Sequence, residues 1–389
     1  MRIGIDYTAA VWQGAGIGRY TRELIQEVIR HGQEFEYILF YAAGGLPADS
    51  QYLTDLRQLC AAHPHVAHKP LPFSPRRAAQ LWQRLRIPLP IEWFTGRLDL
   101  LHSPDFVLPP TRARTLLTVH DLSFLVHPEC HVPNMVRYLS SAVPRSVRRA
   151  NRLFADSEAT RADLERLLQC DPQHIEVVYP GVTPRFQPLP AEQTEPVRQR
   201  LGLPERFLLF VGTLEPRKNL VRLVEAFAMM RNRQDADSWI RRMPLVLAGR
   251  RGWLYESVFE TIERLGLSDA VRVLDYVDDK DLPALYNLAW TFTYPSIYEG
   301  FGLPALEALA CGTPVVTAQN SSLPEVVGDA ALLVPADDVV ALANALERSV
   351  TDDALRARLR SAGLQRAQEF TWQRAGQQVL ACYRQMTAT

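Results

Sequence analysis

The sequence is almost devoid of lysine. Of 43 lysine and arginine residues only Lys69, Lys218 and Lys280 are lysines, so each one invites a question about its role. Acidic residues also number 43, and the resulting net charge of zero gives no sign of a nucleic-acid-binding face. Cysteine is scarce as well: Cys60, Cys130, Cys170, Cys311 and Cys382 are scattered and form no CxxC pair. This argues against a disulfide framework or a structural zinc cage and fits a reducing cytoplasm. No run approaches the roughly 18 apolar residues of a membrane span. Met1 leads into a short apolar strand carrying Arg2 and Asp6 instead of a secretory leader. The expectation is a cytoplasmic protein, soluble or peripheral at the inner face of the membrane.

What is present is an alternation of strand and helix patterns, the mark of the α/β class. RIGIDYTAAV reads as a first strand, and GAGIGRYTRELIQEVIRHG as a glycine loop opening an amphipathic helix that stops at Gly32. Gly14, Gly16 and Gly18 would let a ligand approach the backbone, although such a cluster also marks ordinary tight turns and is not the GxGxxG dinucleotide pattern. His63, His65 and His68 match no common zinc spacing and read as solvated loop residues. From Phe73 to Phe94, Arg76, Arg77, Arg84 and Arg86 are mixed with Leu81, Trp82, Leu85, Ile87 and Trp93. That is the make-up of a peripheral membrane contact, but Pro88 and Pro90 cut it short, and a packed surface helix is preferred.

DLLHSPDFVLP and TLLTVHDLSFL read as buried strands that release His102 with Asp105, and His120 with Asp121, at their carboxyl ends, where open parallel sheets bind ligands. A histidine there is as often structural as functional. TPRFQPLPAEQTEP, rich in proline and without apolar periodicity, is the best linker candidate. The alternation then restarts with RFLLFVGTLEPRKNLVRLVEAFAMM, a strand, a turn holding Arg217 and Lys218, and a helix. Val277 and Asp279 follow a later strand, and Ser322 with Glu325 has capping-box spacing.

The most informative stretch is FTYPSIYEGFGLPALEALACGTPVV, from Phe292 to Val316. It predicts a strand broken at Pro295, a loop with Gly300 and Gly302, and a helix opened by Pro304 and ending near Gly312. The unpaired amides of that helix start favour an anion such as phosphate. Glu299 and Glu307 lie beside the same site and would repel phosphate, so they suit hydroxyls flanking it. The plainer alternative has Glu307 complementing the helix dipole and Glu299 solvated.

YEGFGLPALEALACGTPVV, with its Glu-x7-Glu spacing, resembles the signature of the retaining GT-B glycosyltransferases of family four, which use nucleotide-sugar donors. The resemblance spans nearly the whole chain and is strongest from Arg206 to Val334. It implies two Rossmann-like domains facing a central cleft: residues 1–185 with a returning helix at 370–389 for the acceptor, and 186–369 for the donor. It further implies that Glu299 contacts the donor sugar, that Glu307 binds the ribose, and that the Phe301, Gly302 and Leu303 backbone meets sugar and phosphate. HDLSF resembles the segment whose histidine faces the sugar, which gives His120 that role and leaves His102 a weaker candidate. EPRKN resembles the phosphate-binding segment, implying that Arg217 and Lys218 stabilise the leaving diphosphate. Many relatives carry arginine directly after the strand's glycine, where this chain has Thr213 after Gly212. GxGIGRYT, with Gly16 and Gly18, resembles the first loop, which closes over donor and acceptor.

In the family the preceding strand approaches the nucleobase, so the resemblance makes Val277 and Asp279 candidates for reading its edge, and an aspartate accepting from guanine points to GDP-mannose, with a UDP sugar as runner-up. The expected acceptor is a glycan, a lipid-linked saccharide or a small polyol. The nucleotide sugar is a substrate, and no cofactor or metal is expected. Asp235-Ala236-Asp237 is a DxD triplet of the kind that holds metal in the other large glycosyltransferase fold, but it falls in a polar loop and reads as solvated. A GT-B epimerase or phosphorylase, or a non-catalytic sugar-nucleotide scaffold, stands as the alternative. Replacing either glutamate by glutamine is expected to leave the fold intact, and Glu299→Gln to leave nucleoside diphosphate affinity nearly unchanged.

Overall fold

A computed structural model describes residues 1–14, 16–233 and 237–388. The chain forms two compact units, one comprising Met1–Leu122, Arg137–Gly181 and the chain from Thr371 on, the other Ser123–Val136 and Val182–Phe370.

The first unit holds strands β1 (Arg2–Asp6), β2 (Glu36–Ala42), β3 (Val66–Leu71), β4 (Leu100–Ser103), β5 (Arg114–Val119), β6 (Arg152–Ala155) and β7 (Ile175–Val177), all parallel, in the order β3-β2-β1-β4-β5-β6-β7. The second holds β8 (Leu208–Val211), β9 (Leu245–Ala248), β10 (Val271–Leu274), β11 (Thr291–Tyr294), β12 (Val315–Ala318) and β13 (Ala331–Val334), again parallel, in the order β10-β9-β8-β11-β12-β13. Runs such as LLFV, LVLA and VVTA lack polar alternation because helices cover both faces of a parallel sheet. In each sheet the winding reverses once, between β1 and β4 and between β8 and β11, and the carboxyl ends beside such a reversal form a crevice suited to a ligand.

Several local expectations need revision. β1 stops at Asp6, whose carboxylate accepts from the Thr8 amide at 3.0 Å, and TAAVW forms a short helix, Thr8–Trp12, where a longer strand is expected. The linker candidate contains the start of a helix, Ala191–Arg200, which tolerates Pro196 in its second turn. Phe73–Phe94 is a short helix, Pro75–Ala78, running into a π-helix, Ala79–Arg84, with Trp82 buried and Leu85 and Trp93 65% and 71% exposed. The preferred packed surface helix thus describes only part of it. Among the described residues no helix is long and apolar enough to cross a membrane.

The last helix, Trp372–Ala388, completes the first unit's core with Trp372, Val379, Leu380, Tyr383 and Met386, beside Leu24, Val28 and Tyr37. Gly376 permits its close approach to the helix Ile17–His31: a Cβ there would lie 2.9 Å from Glu27 Cβ. Ser123–Val136 belongs to the second unit because Trp253 Nε1 donates to the Cys130 carbonyl at 2.8 Å and stacks on His131.

Candidate active site

The reversal between β8 and β11 brings together the two stretches singled out in the sequence. β8 is followed by a 3-10 turn, Pro216–Lys218, and β11 by the loop leading into the helix Leu303–Ala310. Asn219, at φ +61°, turns the chain after Lys218 and donates to the carbonyls of Pro295 (3.0 Å) and Ala336 (2.7 Å), fastening one loop to the other.

Glu299 is the hub. Its Oε1 accepts from Lys218 Nζ at 2.6 Å, and its Oε2 from Arg217 Nη1 at 2.9 Å. Arg217 also donates to the Tyr298 carbonyl (2.8 Å) and to Glu215 Oε1 (2.7 Å), and Lys218 donates to Tyr294 Oη (2.7 Å). Glu215, Lys218 and Glu299 are each less than a tenth exposed. Burial works against the Glu299 charge, but Arg217 and Lys218 overcome it and hold the carboxyl down at about 2. Burial also draws the Lys218 ammonium below its ordinary range, Arg217 adding to that and Glu299 opposing it. Two carboxylates and two cations thus neutralise one another away from water.

The helix start is poised differently. Gly302, at φ +105°, precedes the first helical residue in a conformation that favours glycine, and a Cβ there would also come 2.8 Å from Leu323 Cδ2, which would have to move aside. Among the described residues nothing accepts from the Gly302 and Leu303 amides. Glu307 sits in the second turn, beyond the first turn where dipole effects concentrate, and accepts from Tyr286 Oη at 2.9 Å while 2% exposed. Leu303 and Pro304 open the helix, and it ends at Ala310 with Gly312 left-handed at φ +72°.

The loop after β12 props this constellation. Ser321 Oγ accepts from the Glu299 amide, and Ser322 Oγ donates to the Glu299 and Phe301 carbonyls, each at 2.9 Å. Ser322 is therefore no capping-box residue: it makes no side-chain cap bond and its hydroxyl faces the Glu299 loop. Tyr294, Glu215, Tyr286, Ser321 and Ser322 are participants that sequence reasoning misses. Only Tyr294 carries an advance signal, as the polar end of an apolar strand.

Val277 is buried beyond β10, and Asp279 lies in the turn that follows, with its carboxylate 3.7 Å from Arg185. Asp237 begins the helix Ser238–Arg242, while Asp235 and Ala236 lie outside the described residues. Among the described residues no group of three or more His, Cys, Asp or Glu side chains could hold a metal.

The remaining sequence candidates lie in the first unit. Gly16, at φ +59°, precedes the helix Ile17–His31, whereas Gly18 lies inside that helix. A Cβ at Gly18 would lie 2.2 Å from the Gln13 carbonyl and 2.7 Å from that of Ala9, so this glycine is required by helix packing. His120 follows β5 with both ring nitrogens engaged, Nδ1 with Asp156 Oδ2 at 2.7 Å and Nε2 with the Pro104 carbonyl at 2.9 Å. Burial disfavours its cation, but Asp156, Asp105 and the Pro104 carbonyl outweigh that and push it up to about 9. His102 is fully buried between Tyr383 Oη (2.7 Å) and Thr118 Oγ1 (3.3 Å), and burial lowers it to about 3. It is a neutral pin between β4 and the last helix.

Two doubly wound parallel sheets, the second with a Glu-Lys-Arg cluster in the loops at its winding reversal, have the architecture of the GT-B glycosyltransferases. The chain belongs to family four of these enzymes: residues 14–186 match "Glycosyltransferase Family 4" and residues 192–366 match "Glycosyl transferases group 1". It is 34% identical over 374 residues to the O-antigen chain mannosyltransferase B of Escherichia coli, covering 95% of this chain and 96% of that one. Sucrose-phosphate synthase from Thermosynechococcus elongatus shares the fold, with a TM-score of 0.76, 22% identity and coverage of 100% and 99% of the two chains. The Anabaena protein HepE, solved with UDP and glucose, gives a TM-score of 0.73 at 20% identity, covering 99% of each chain.

Proposed function

We propose that this glycosyltransferase moves mannose from GDP-mannose to a saccharide hydroxyl, with retention of configuration and without a metal. The observation that carries the reading is the Lys218–Glu299–Arg217 cluster, whose Glu299 lies in the loop leading into the helix start at Gly302 and Leu303, where among the described residues nothing accepts from the amides. Preorganised cations and amides aimed at the departing diphosphate supply the electrostatic stabilisation that group transfer needs, and they do so without a metal's charge. Glu307, with Tyr286, is suited to ribose hydroxyls. Glu299 is suited to the hexose once the diphosphate takes over its two cations. Departing diphosphate oxygen would assist removal of the acceptor proton on the face of the sugar that it leaves.

The choice of mannose leans on similarity to the Escherichia coli mannosyltransferase across nearly the whole of both chains. GDP leans on Asp279 as an acceptor for the guanine N1 and N2 donors. One observation favours a UDP sugar instead: Arg185 lies 3.7 Å from Asp279 and competes for the carboxylate, and the structurally similar Anabaena protein holds UDP. The test is a transfer assay with GDP-mannose and a mannoside acceptor in the presence of EDTA, with the product's anomeric centre read by proton NMR. Formation of the α-mannoside is expected. A β-mannoside, a strict requirement for a divalent cation, or turnover with UDP sugars alone would overturn the corresponding part of the reading.

A further inference from the structure

The charges of the chain balance overall but not locally. Between Lys69 and Ile91, and again between Arg137 and Ala155, the sequence carries arginines and Lys69 but no aspartate or glutamate. The fold brings parts of these two acid-free stretches together. Arg145, in the helix Pro133–Arg149, donates to the Gln83 carbonyl at 2.8 Å and to Gln83 Oε1 at 2.7 Å, and Arg149 donates to the carbonyls of Leu108 (3.3 Å) and Pro109 (2.8 Å). These acceptors are neutral, so no carboxylate offsets either cation. Burial, and then the nearby charges of Arg86 and Arg148, draw the Arg145 cation below its ordinary range. Among the described residues no hydrogen bond or ion pair reaches the guanidinium groups of Arg76, Arg77, Arg84, Arg86 or Arg148, and all five residues are exposed.

The same surface presents apolar side chains to solvent. Trp82 is buried and its Nε1 donates to the Leu89 carbonyl at 3.0 Å, which anchors the segment from within. Arg86, left-handed at φ +57°, turns the chain just after the π-helix, and every residue from Arg84 to Pro88 is exposed. Leu85 and Trp93 are the most exposed large hydrophobic side chains among the described residues, and Ile87 is exposed as well. Residues 108–113 join the two ends of this surface: Pro110 accepts from the Ile91 amide at 2.9 Å, and Glu92 Oε1 accepts from the amides of Arg112 (2.7 Å) and Ala113 (3.2 Å). Trp93, Arg97, Arg112 and Arg114 then line one cleft of about 720 Å³, whose two carboxylates, Glu92 and Asp99, both accept from backbone amides.

Single apolar side chains set between arginines, as in Arg84-Leu85-Arg86-Ile87, do not build the charge-depleted core of a protein interface. A nucleic acid would use the arginines and leave Leu85 and Ile87 without a role. An anionic bilayer surface uses both features. Arginines pair with lipid phosphates, while leucine, isoleucine and tryptophan enter the boundary between headgroups and acyl chains. We propose that this surface of the first unit docks reversibly on a membrane containing anionic lipid. The proposal is independent of the donor assignment, because docking needs no nucleotide.

The test is co-sedimentation of the full chain with vesicles of phosphatidylcholine, alone or mixed with phosphatidylglycerol. Wild type is compared with Arg84→Glu/Arg86→Glu and with Leu85→Ser/Trp93→Ser. Wild type is expected to bind the mixed vesicles, to leave them at raised salt, and to bind phosphatidylcholine alone more weakly by about tenfold or more. Each double variant is expected to lose about tenfold or more in partitioning onto the mixed vesicles. All four substituted side chains are exposed, so folding is expected to survive, and unchanged unfolding midpoints check it. The proposal is overturned if wild type stays in the supernatant with mixed vesicles, if it binds phosphatidylcholine alone equally well, or if either variant binds as wild type does. Binding of double-stranded DNA in place of vesicles would reassign the surface to a nucleic acid and overturn it too.

Discussion

At the scale of single residues, Glu299 holds a buried charge cluster together and, in the proposed function, also meets the donor sugar. Its two oxygens hold Lys218 and Arg217 in a site nearly closed to water, so replacing it leaves buried cations without their counter-charge. Removing one partner of a buried pair costs about 3–5 kcal/mol. Glu299→Gln is therefore expected to lose a substantial part of that, measured by denaturant unfolding without ligand, which makes this substitution costlier to the fold than its sequence context suggests. A wild-type midpoint would contradict the ion-pair account. Glu299 titrates at about 2 when folded against 4.5 unfolded, so its contribution is present above pH 4.5 and lost as the pH falls toward 2. His120 has the opposite sign. Its folded value of about 9 against 6.5 means that stabilisation is full below pH 6.5 and disappears as the pH rises through 9. A fall of about 3 kcal/mol between those limits is expected, and His120→Gln should flatten it. A profile equally steep in that variant would assign the pH dependence elsewhere.

At the scale of elements, the strand, glycine loop and helix from Phe292 to Val316 were legible because each depends on local chemistry: an apolar run, Gly302, and Pro304 in the first helical turn. Lys218 and Glu299 could be named but not joined, because their pairing comes from β8 and β11 lying side by side, a contact between residues 81 apart in sequence. The same limit misread Ser322, whose spacing to Glu325 suits a cap while its hydroxyl serves a loop 21 to 23 residues earlier. At Gly18 the structure adds a packing demand that the sequence could not show, because a Cβ there would meet the carbonyls of Gln13 and Ala9. Ser322→Ala should cost about 1 kcal/mol of stability. It should also lower kcat more than it raises KM for donor, since the loop presenting Glu299 loses a brace. Restoration of kcat by Ser322→Thr would support that positioning role, and unchanged kcat in Ser322→Ala would contradict it.

At the scale of the whole molecule, the chain returns to its first unit to finish a core begun some 350 residues earlier. Trp372, Val379, Leu380, Tyr383 and Met386 are all buried there. At about 1.5–3 kcal/mol for each large side chain, their burial is worth about 10 kcal/mol, comparable with the whole stability of a typical domain. Truncation after Phe370 is therefore expected to unfold the first unit, seen as loss of its cooperative transition, and a soluble product with that transition intact would refute the packing argument. The second unit holds two buried cations, Arg217 and Lys218, neutralised by Glu215 and Glu299, and in the proposed function these cations pass to the donor's diphosphate. The direct test of that exchange is calorimetric titration of GDP into wild type and Glu299→Gln. If the diphosphate must displace Glu299 from Lys218 and Arg217, the variant will bind GDP more tightly, by about tenfold or ~1.4 kcal/mol, in place of the nearly unchanged affinity expected from the sequence alone, while its transfer from GDP-mannose falls. Weaker binding of GDP by Glu299→Gln than by wild type would contradict the account.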